Sequence, residues 1–162
     1  MNPSTLTVTS MTTAEEAAAF RTLNEEWISR SFTIEESDRK TLADPFAAIV
    51  EPGGDVLVLR DDGQIVGCVS LVRYSEDVFE LSKMAVAPAA RGRGLGRQLI
   101  EAAIERARQL GAATLFLGSS TKLPNAVHLY ERAGFQHVAP EQIPLPPYAR
   151  ADVFMRMSLL PA

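Results

Sequence analysis

The chain of 162 residues predicts an α/β fold of the α+β kind, a mixed and mostly antiparallel sheet of about seven strands flanked by about four helices. Three observations predict it. β-rich runs and helical stripes follow one another in the order β-α-α-β-β-β-α-β-α-β-β. The pair Asp62-Gly63 separates two of the β-rich runs, which is a hairpin signal. A glycine-interrupted segment, Arg91-Gly92-Arg93-Gly94-Leu95-Gly96, joins the third run to an amphipathic helix. No repeat, low-complexity stretch or linker interrupts the pattern, so residues 1–162 are expected to form a single domain.

Each element has its own signal. Leu6 to Thr9 is a short first strand. Thr13 is an N-cap ahead of the acidic first turn Glu15-Glu16, and the helix runs to about Ser29 with Phe20, Leu23, Trp27 and Ile28 as its apolar stripe. A shorter helix lies between Glu35 and Ala43 and ends before Pro45. Val56 to Arg60 and Ile65 to Arg73 form the hairpin, and Val78 to Val86 continues the meander. Leu95 to Leu110 carries apolar residues at Leu95, Leu99, Ala103, Ala107 and Leu110, with Gly111 as its stop. Thr114 to Leu117 is a strand, and about Asn125 to Ala133 a short helix closed by Gly134. Phe135 to Val138 and Val153 to Leu159 complete the sheet, joined by a loop containing Pro140, Pro144, Pro146 and Pro147.

Composition narrows the function. With 46% apolar and 22% charged residues the chain is an ordinary globular one. A net charge of −4 gives no support to a nucleic-acid partner. The single cysteine, Cys68, excludes an intramolecular disulfide and a Cys-rich metal site, and its apolar strand predicts a buried thiol. His128 and His137 are too few for a typical zinc site, so no metal is expected. There is no apolar run of membrane-spanning length and no basic-then-apolar N-terminal segment, so a cytoplasmic protein without a membrane partner is expected.

The glycine segment carries the chemistry. Glycines at every second position expose successive backbone N–H groups, and the helix behind adds its positive dipole end, which together make an anion cradle. Arg91 and Arg93 add charge for the same oxygens. Glycines at first, third and fifth places fail the dinucleotide fingerprint, and no Gly-Lys-Ser/Thr follows, so both nucleotide loops fail on spacing. What fits is Val86-Ala87-Pro88-Ala89-Ala90 followed by Arg91 to Gly96. This resembles the coenzyme A pyrophosphate loop of the GNAT superfamily of N-acetyltransferases, with Arg91, Gly94 and Gly96 in its three defining places. A second segment, from Asn125 to Phe135, is similar to that superfamily's Ala-x-x-Leu-Tyr-x-x-x-Gly-Phe pattern. The resemblance covers almost the whole chain and is strongest from Glu80 to Phe135.

The resemblance implies acetyl-CoA as acyl donor, a small-molecule or peptide amine as acceptor, and direct attack in a ternary complex. A homodimer is left open. It implies pyrophosphate binding by Arg91, Gly92, Arg93, Gly94, Leu95 and Gly96. It places the pantetheine arm along the backbone of Met84, Ala85 and Val86, freed from the neighbouring parallel strand, with an N–H there facing the thioester oxygen. Tyr130 is the implied general acid for the departing thiolate; the alternative is a core aromatic. Asn125 either contacts pantetheine or caps its helix. Glu80 is the implied base for the amine, and strand alternation puts it on one face with Ser82, Met84 and Val86. The alternative is a glutamate facing solvent or pairing with Lys83 or Arg73. Glu25, Glu26, Trp27 and Arg30, with Tyr148, Arg150 and Asp152, would wall the acceptor site and suit a zwitterionic amine, unless they are ordinary solvated charges. The rival to an enzyme is a non-catalytic acyl-CoA sensor with the same fold.

Overall fold

Thr13 starts the first helix as its sequence predicts: its hydroxyl accepts from the Glu16 N–H at 3.1 Å, and the Glu16 carboxylate reaches back to the Thr13 N–H at 3.0 Å. The computed structural model describes residues 5–144 and 149–160. Its elements are β1 (Leu6–Ser10), α1 (Ala14–Ser31), α2 (Glu36–Ala43), β2 (Asp55–Asp61), β3 (Gln64–Arg73), β4 (Val78–Val86), α3 (Leu95–Gln109), β5 (Thr114–Ser119), α4 (Pro124–Ala133), β6 (Gln136–His137) and β7 (Val153–Ser158). A π turn over Phe46–Val50, which the sequence pattern did not suggest, links α2 to β2. The strand expected over 135–138 shrinks to two residues. Phe135 turns into the core at 3% exposure, and the Val138 N–H donates to the Phe154 carbonyl. Pro146, Pro147 and Tyr148 lie outside the described residues.

The strands form one sheet in the order β1-β2-β3-β4-β5-β7-β6, antiparallel everywhere except between β4 and β5. Helices cover both faces. On one side α3 sets Leu95, Leu99, Ile100 and Ala103 against Leu57, Val69, Leu71, Phe79 and Leu81. Burying each large aliphatic side chain of that stripe contributes roughly 1.5–3 kcal/mol. On the other side Phe20 and Leu42, from α1 and α2, meet Val56, Val58 and Cys68.

Two irregularities in β4 position the site. The first is its parallel pairing, which consists of Val78↔Thr114, Phe79↔Leu115 and Glu80↔Phe116. Beyond Glu80 the strand stays paired with β3 as far as Val86↔Gly67, while β5 stays paired with β7 as far as Ser119↔Val153. The two central strands therefore diverge into a wedge, as the resemblance implies.

The second is a bulge. The register with β3 passes from Ser82↔Ser70 to Ala85↔Cys68, so Lys83 and Met84 stand opposite Val69 alone, and Lys83 takes a left-handed φ of 53°. The extra residue inverts the alternation. Glu80 and Ser82 face the α1–α2 side, opposite Val72 and Ser70, and the Ser70 and Ser82 hydroxyls meet at 2.8 Å. Met84 and Val86 pack on the α3 side instead. The expectation that Glu80, Ser82, Met84 and Val86 share a face is thus corrected.

Candidate active site

The wedge opens onto a cavity of about 400 Å³. Its wall is built from Ser82 to Val86 of β4, Gly118 to Ser120 after the divergence of β5, the first turn of α4, Tyr130, and the end of α1 at Trp27, Arg30 and Phe32. Arg91 and Arg150 close it at two sides.

The glycine segment lies beside this cavity and divides into two kinds of glycine. Gly92 and Gly94 hold φ of 80° and 75°, and a Cβ built on either would meet nothing within 4 Å. Gly96 is different: a Cβ there would stand 3.1 Å from Leu129 Cδ1, so its smallness serves the contact of α3 with α4. The first helical bond of α3 is the one from Gln98 N–H to Gly94 carbonyl at 3.3 Å. The N–H groups of Leu95, Gly96 and Arg97 precede it and have no intrahelical acceptor. Open space, unclaimed donors and the positive helix end fit a diphosphate. Leu95 itself contributes its side chain to the core at 2% exposure.

The two arginines part company. Arg91 lies in the cavity wall, with its Nε 3.2 Å from the Val86 carbonyl and Nη2 3.2 Å from the Glu26 carboxylate. Arg93 turns the other way and pairs with Asp61 of the hairpin at 2.7 Å.

Tyr130 is a core aromatic that also lines the cavity. Its ring packs edge-on to Phe135 with centroids 5.9 Å apart, it is 8% exposed, and it lines the cavity. Burial pushes its phenol above the ordinary range. Asn125 does not cap α4, because Leu123 holds the cap position and Asn125 sits one residue inside Pro124. It lies in the cavity wall.

Glu80 is 3% exposed, which overturns the solvent-facing alternative, yet it is not part of the wall; Ser82 and Lys83 are. In register it stands between Val72 of β3 and Phe116 of β5. Its charge is felt at Tyr74, whose phenol burial first and then Glu80 push up to about 12.

The sequence reasoning missed a buried charge cluster under the same cavity. Asp38, fully buried on α2, accepts Lys83 Nζ at 2.7 Å and both ends of the Arg150 guanidinium at 2.8 Å. Burial would raise the Asp38 carboxyl, but Arg150 and Lys83 hold it far below the carboxylate range. Burial lowers the Lys83 ammonium, opposed by Asp38. Lys83 interrupts an apolar strand as plainly as Glu80 does, and that was the available signal.

The other acceptor candidates scatter. Trp27, Arg30 and Arg150 reach the cavity. Glu25 pairs with Arg21 at 2.8 Å on the surface, Glu26 lies 3.2 Å from both Arg30 and Arg91, and Asp152 is held by Thr121. Tyr148 lies outside the described residues. Among the described residues no helix is long and apolar enough to cross a membrane, and no His, Cys, Asp or Glu cluster could hold a metal. Cys68 is buried, 3.5 Å from Asn24 Nδ2, and burial pushes its thiol up to about 12.

A sheet parted at its parallel pair, with a tyrosine in the gap and a glycine loop beside it, is the arrangement that the resemblance to the GNAT acyltransferases implies. The chain belongs to the GNAT family of acetyltransferases, whose family model, "Acetyltransferase (GNAT) family", matches residues 18–135. It is 32% identical over 119 residues to the uncharacterized N-acetyltransferase YjgM of Escherichia coli, covering 68% of this chain and 71% of that protein. The fold matches the crystal structure of a GNAT-family acetyltransferase from Staphylococcus aureus Mu50 with a TM-score of 0.86 at 18% identity, covering 96% and 100% of the two chains. It also matches YncA of Salmonella typhimurium, solved with its cofactor acetyl-CoA, with a TM-score of 0.74 at 24% identity over 95% and 94%.

Proposed function

We propose that the chain transfers an acetyl group from acetyl-CoA to the primary amine of a small molecule, by direct attack of the amine on the thioester. The observation that carries this is the divergence of β4 and β5 beyond Glu80 into a cavity walled by Tyr130 and flanked by the glycine loop. The acetyl-CoA held by the Salmonella structure is consistent with it.

Each residue then has a task. The N–H groups opening α3, with Arg91, would hold the diphosphate. The freed edge of Met84, Ala85 and Val86 would pair with the pantetheine arm, and one N–H there would face the carbonyl oxygen as negative charge grows on it. Asn125, in the cavity wall, would contact the same arm. Tyr130 would donate its proton to the sulfur as the C–S bond breaks and the C–N bond forms. A phenol raised by burial stays protonated at neutral pH, so its O–H is present to hydrogen-bond the leaving sulfur. Glu80, outside the wall, would draw the amine's proton through water. Cys68 is too deeply buried to carry an acyl group.

Free-thiol release from acetyl-CoA, followed over a panel of amines, tests the assignment. Tyr130→Phe should lower kcat about 10²-fold with acetyl-CoA affinity within about two-fold of wild type. Acetyl-CoA binding without any turnover across the panel would identify a sensor instead, and no binding at all would sink both.

A further inference from the structure

Among the described residues, every charged side chain that lines the cavity is a cation: Arg30, Lys83, Arg91, Lys122 and Arg150; the carboxylates that pair with four of them, Glu26, Glu35 and Asp38, are not among the lining residues. Arg91 adjoins the glycine loop and is accounted for by the diphosphate. Lys83 and Arg150 belong to the opposite, α1–α2 side, because both are anchored on Asp38. Arg30 ends α1 on that side.

Cations already lie against the Trp27 and Phe32 rings there. The Arg150 guanidinium lies 5.7 Å from the Trp27 ring centre and 5.9 Å from that of Phe32, and Lys122 Nζ lies 5.4 Å from Phe32. A polyamine or a lysine-rich peptide needs carboxylates or open aromatic faces for its second cation. Among the described residues the lining of this chamber holds no carboxylate, and its Trp27 and Phe32 rings already carry cations. The carboxylates that pair with its cations lie outside the lining: Asp38 is fully buried, Glu26 stands 3.2 Å from Arg30 and Arg91, and Glu35 stands 3.6 Å from Arg150.

We infer that the acceptor is a small amine that also carries an acid group, a carboxylate or phosphonate, which Arg30 and Arg150 receive while the amine points toward β4. This rests on the acetyltransferase assignment above. Arg recognises such groups in a bidentate, charge-assisted way, worth roughly 1.5–3 kcal/mol per hydrogen bond, or about 10- to 100-fold.

The test compares amino acids with their own amides and with putrescine, spermidine and a lysine peptide, reading kcat/KM by thiol release from acetyl-CoA. The amide's amine loses its proton more readily than the acid's, so the comparison is biased against the proposal. The acid-bearing amines should still lead their amides by at least about 10-fold. Arg30→Gln should narrow that ratio to within about three-fold while acetyl-CoA affinity, read by calorimetry, is retained. Equal or better turnover of amides or polyamines overturns the inference, as does turnover of no acid-bearing amine by a protein that binds acetyl-CoA. An unchanged ratio in Arg30→Gln overturns the role of Arg30. Absence of acetyl-CoA binding is a separate outcome that removes the acetyltransferase assignment itself.

Discussion

Arg150 straddles Asp38, with Nη1 on Oδ2 and Nη2 on Oδ1 both at 2.8 Å, and so ties the start of the last strand to the second helix across 112 positions of chain. Lys83 fixes the same carboxylate to the bulge in β4. Removing the anion strands two cations in a dry place. Asp38→Asn should therefore cost about 3–5 kcal/mol of stability in urea unfolding. A loss below about 1 kcal/mol would mean that water reaches this cluster.

Stability should also fall in acid, and Glu16 is a principal reason. Burial would raise its carboxyl, but N–H donors of Thr12 and Thr13 and the Arg60 guanidinium bring it from 4.5 down to about 2. A depressed carboxyl stabilises fully above its unfolded value and loses that stabilisation as pH drops toward the folded one. The contribution, on the order of 3 kcal/mol, should vanish between about pH 4.5 and 2. Glu16→Gln, lower in stability at pH 7, should show a flatter profile across that window; parallel curves for the two proteins would refute the assignment.

The glycines of the loop separate shape from backbone freedom. Gly94→Ala forces a side chain into a φ of 75° with nothing to strike, so stability should fall by no more than about 1–2 kcal/mol while acetyl-CoA affinity drops at least about ten-fold. Gly96→Val drives a branched side chain at Leu129, and should cost about 1–3 kcal/mol of stability. Reversed outcomes would place the ligand elsewhere.

Cys68 should be silent. With no exposed surface and its pKa pushed up to about 12 by burial, the thiol should resist a disulfide reagent until the protein unfolds, and alkylating agents should leave turnover intact. Rapid labelling of the native protein would contradict both the packing and the direct-transfer chemistry.

Where local chemistry decides structure, the sequence was sufficient. Asp62-Gly63 and the glycine stops at 111 and 134 delimit elements by backbone freedom alone, and β4 runs from Val78 to Val86 as expected. The bulge escaped a rule of strict alternation, although its trace is visible: the core positions pass from Phe79 and Leu81 to Met84 and Val86, a slip of one residue. Asp38 and Arg150 could not be paired from their surroundings in sequence, since the local bond of Asp38 is to the Glu35 N–H and its meeting with Arg150 depends on the fold. Glu80 showed the same limit: its residue type and strand pointed to the cavity, while it is buried between Val72 and Phe116 in register and is not among the lining residues.

The short parallel zipper of β4 and β5 leaves a four-stranded slab and a three-stranded slab held by few rungs. A guest that laces the open portion would act as mortar as well as reactant. Resistance of this protein to heat and proteolysis would then track thioester supply, and the unladen molecule would be the perishable one.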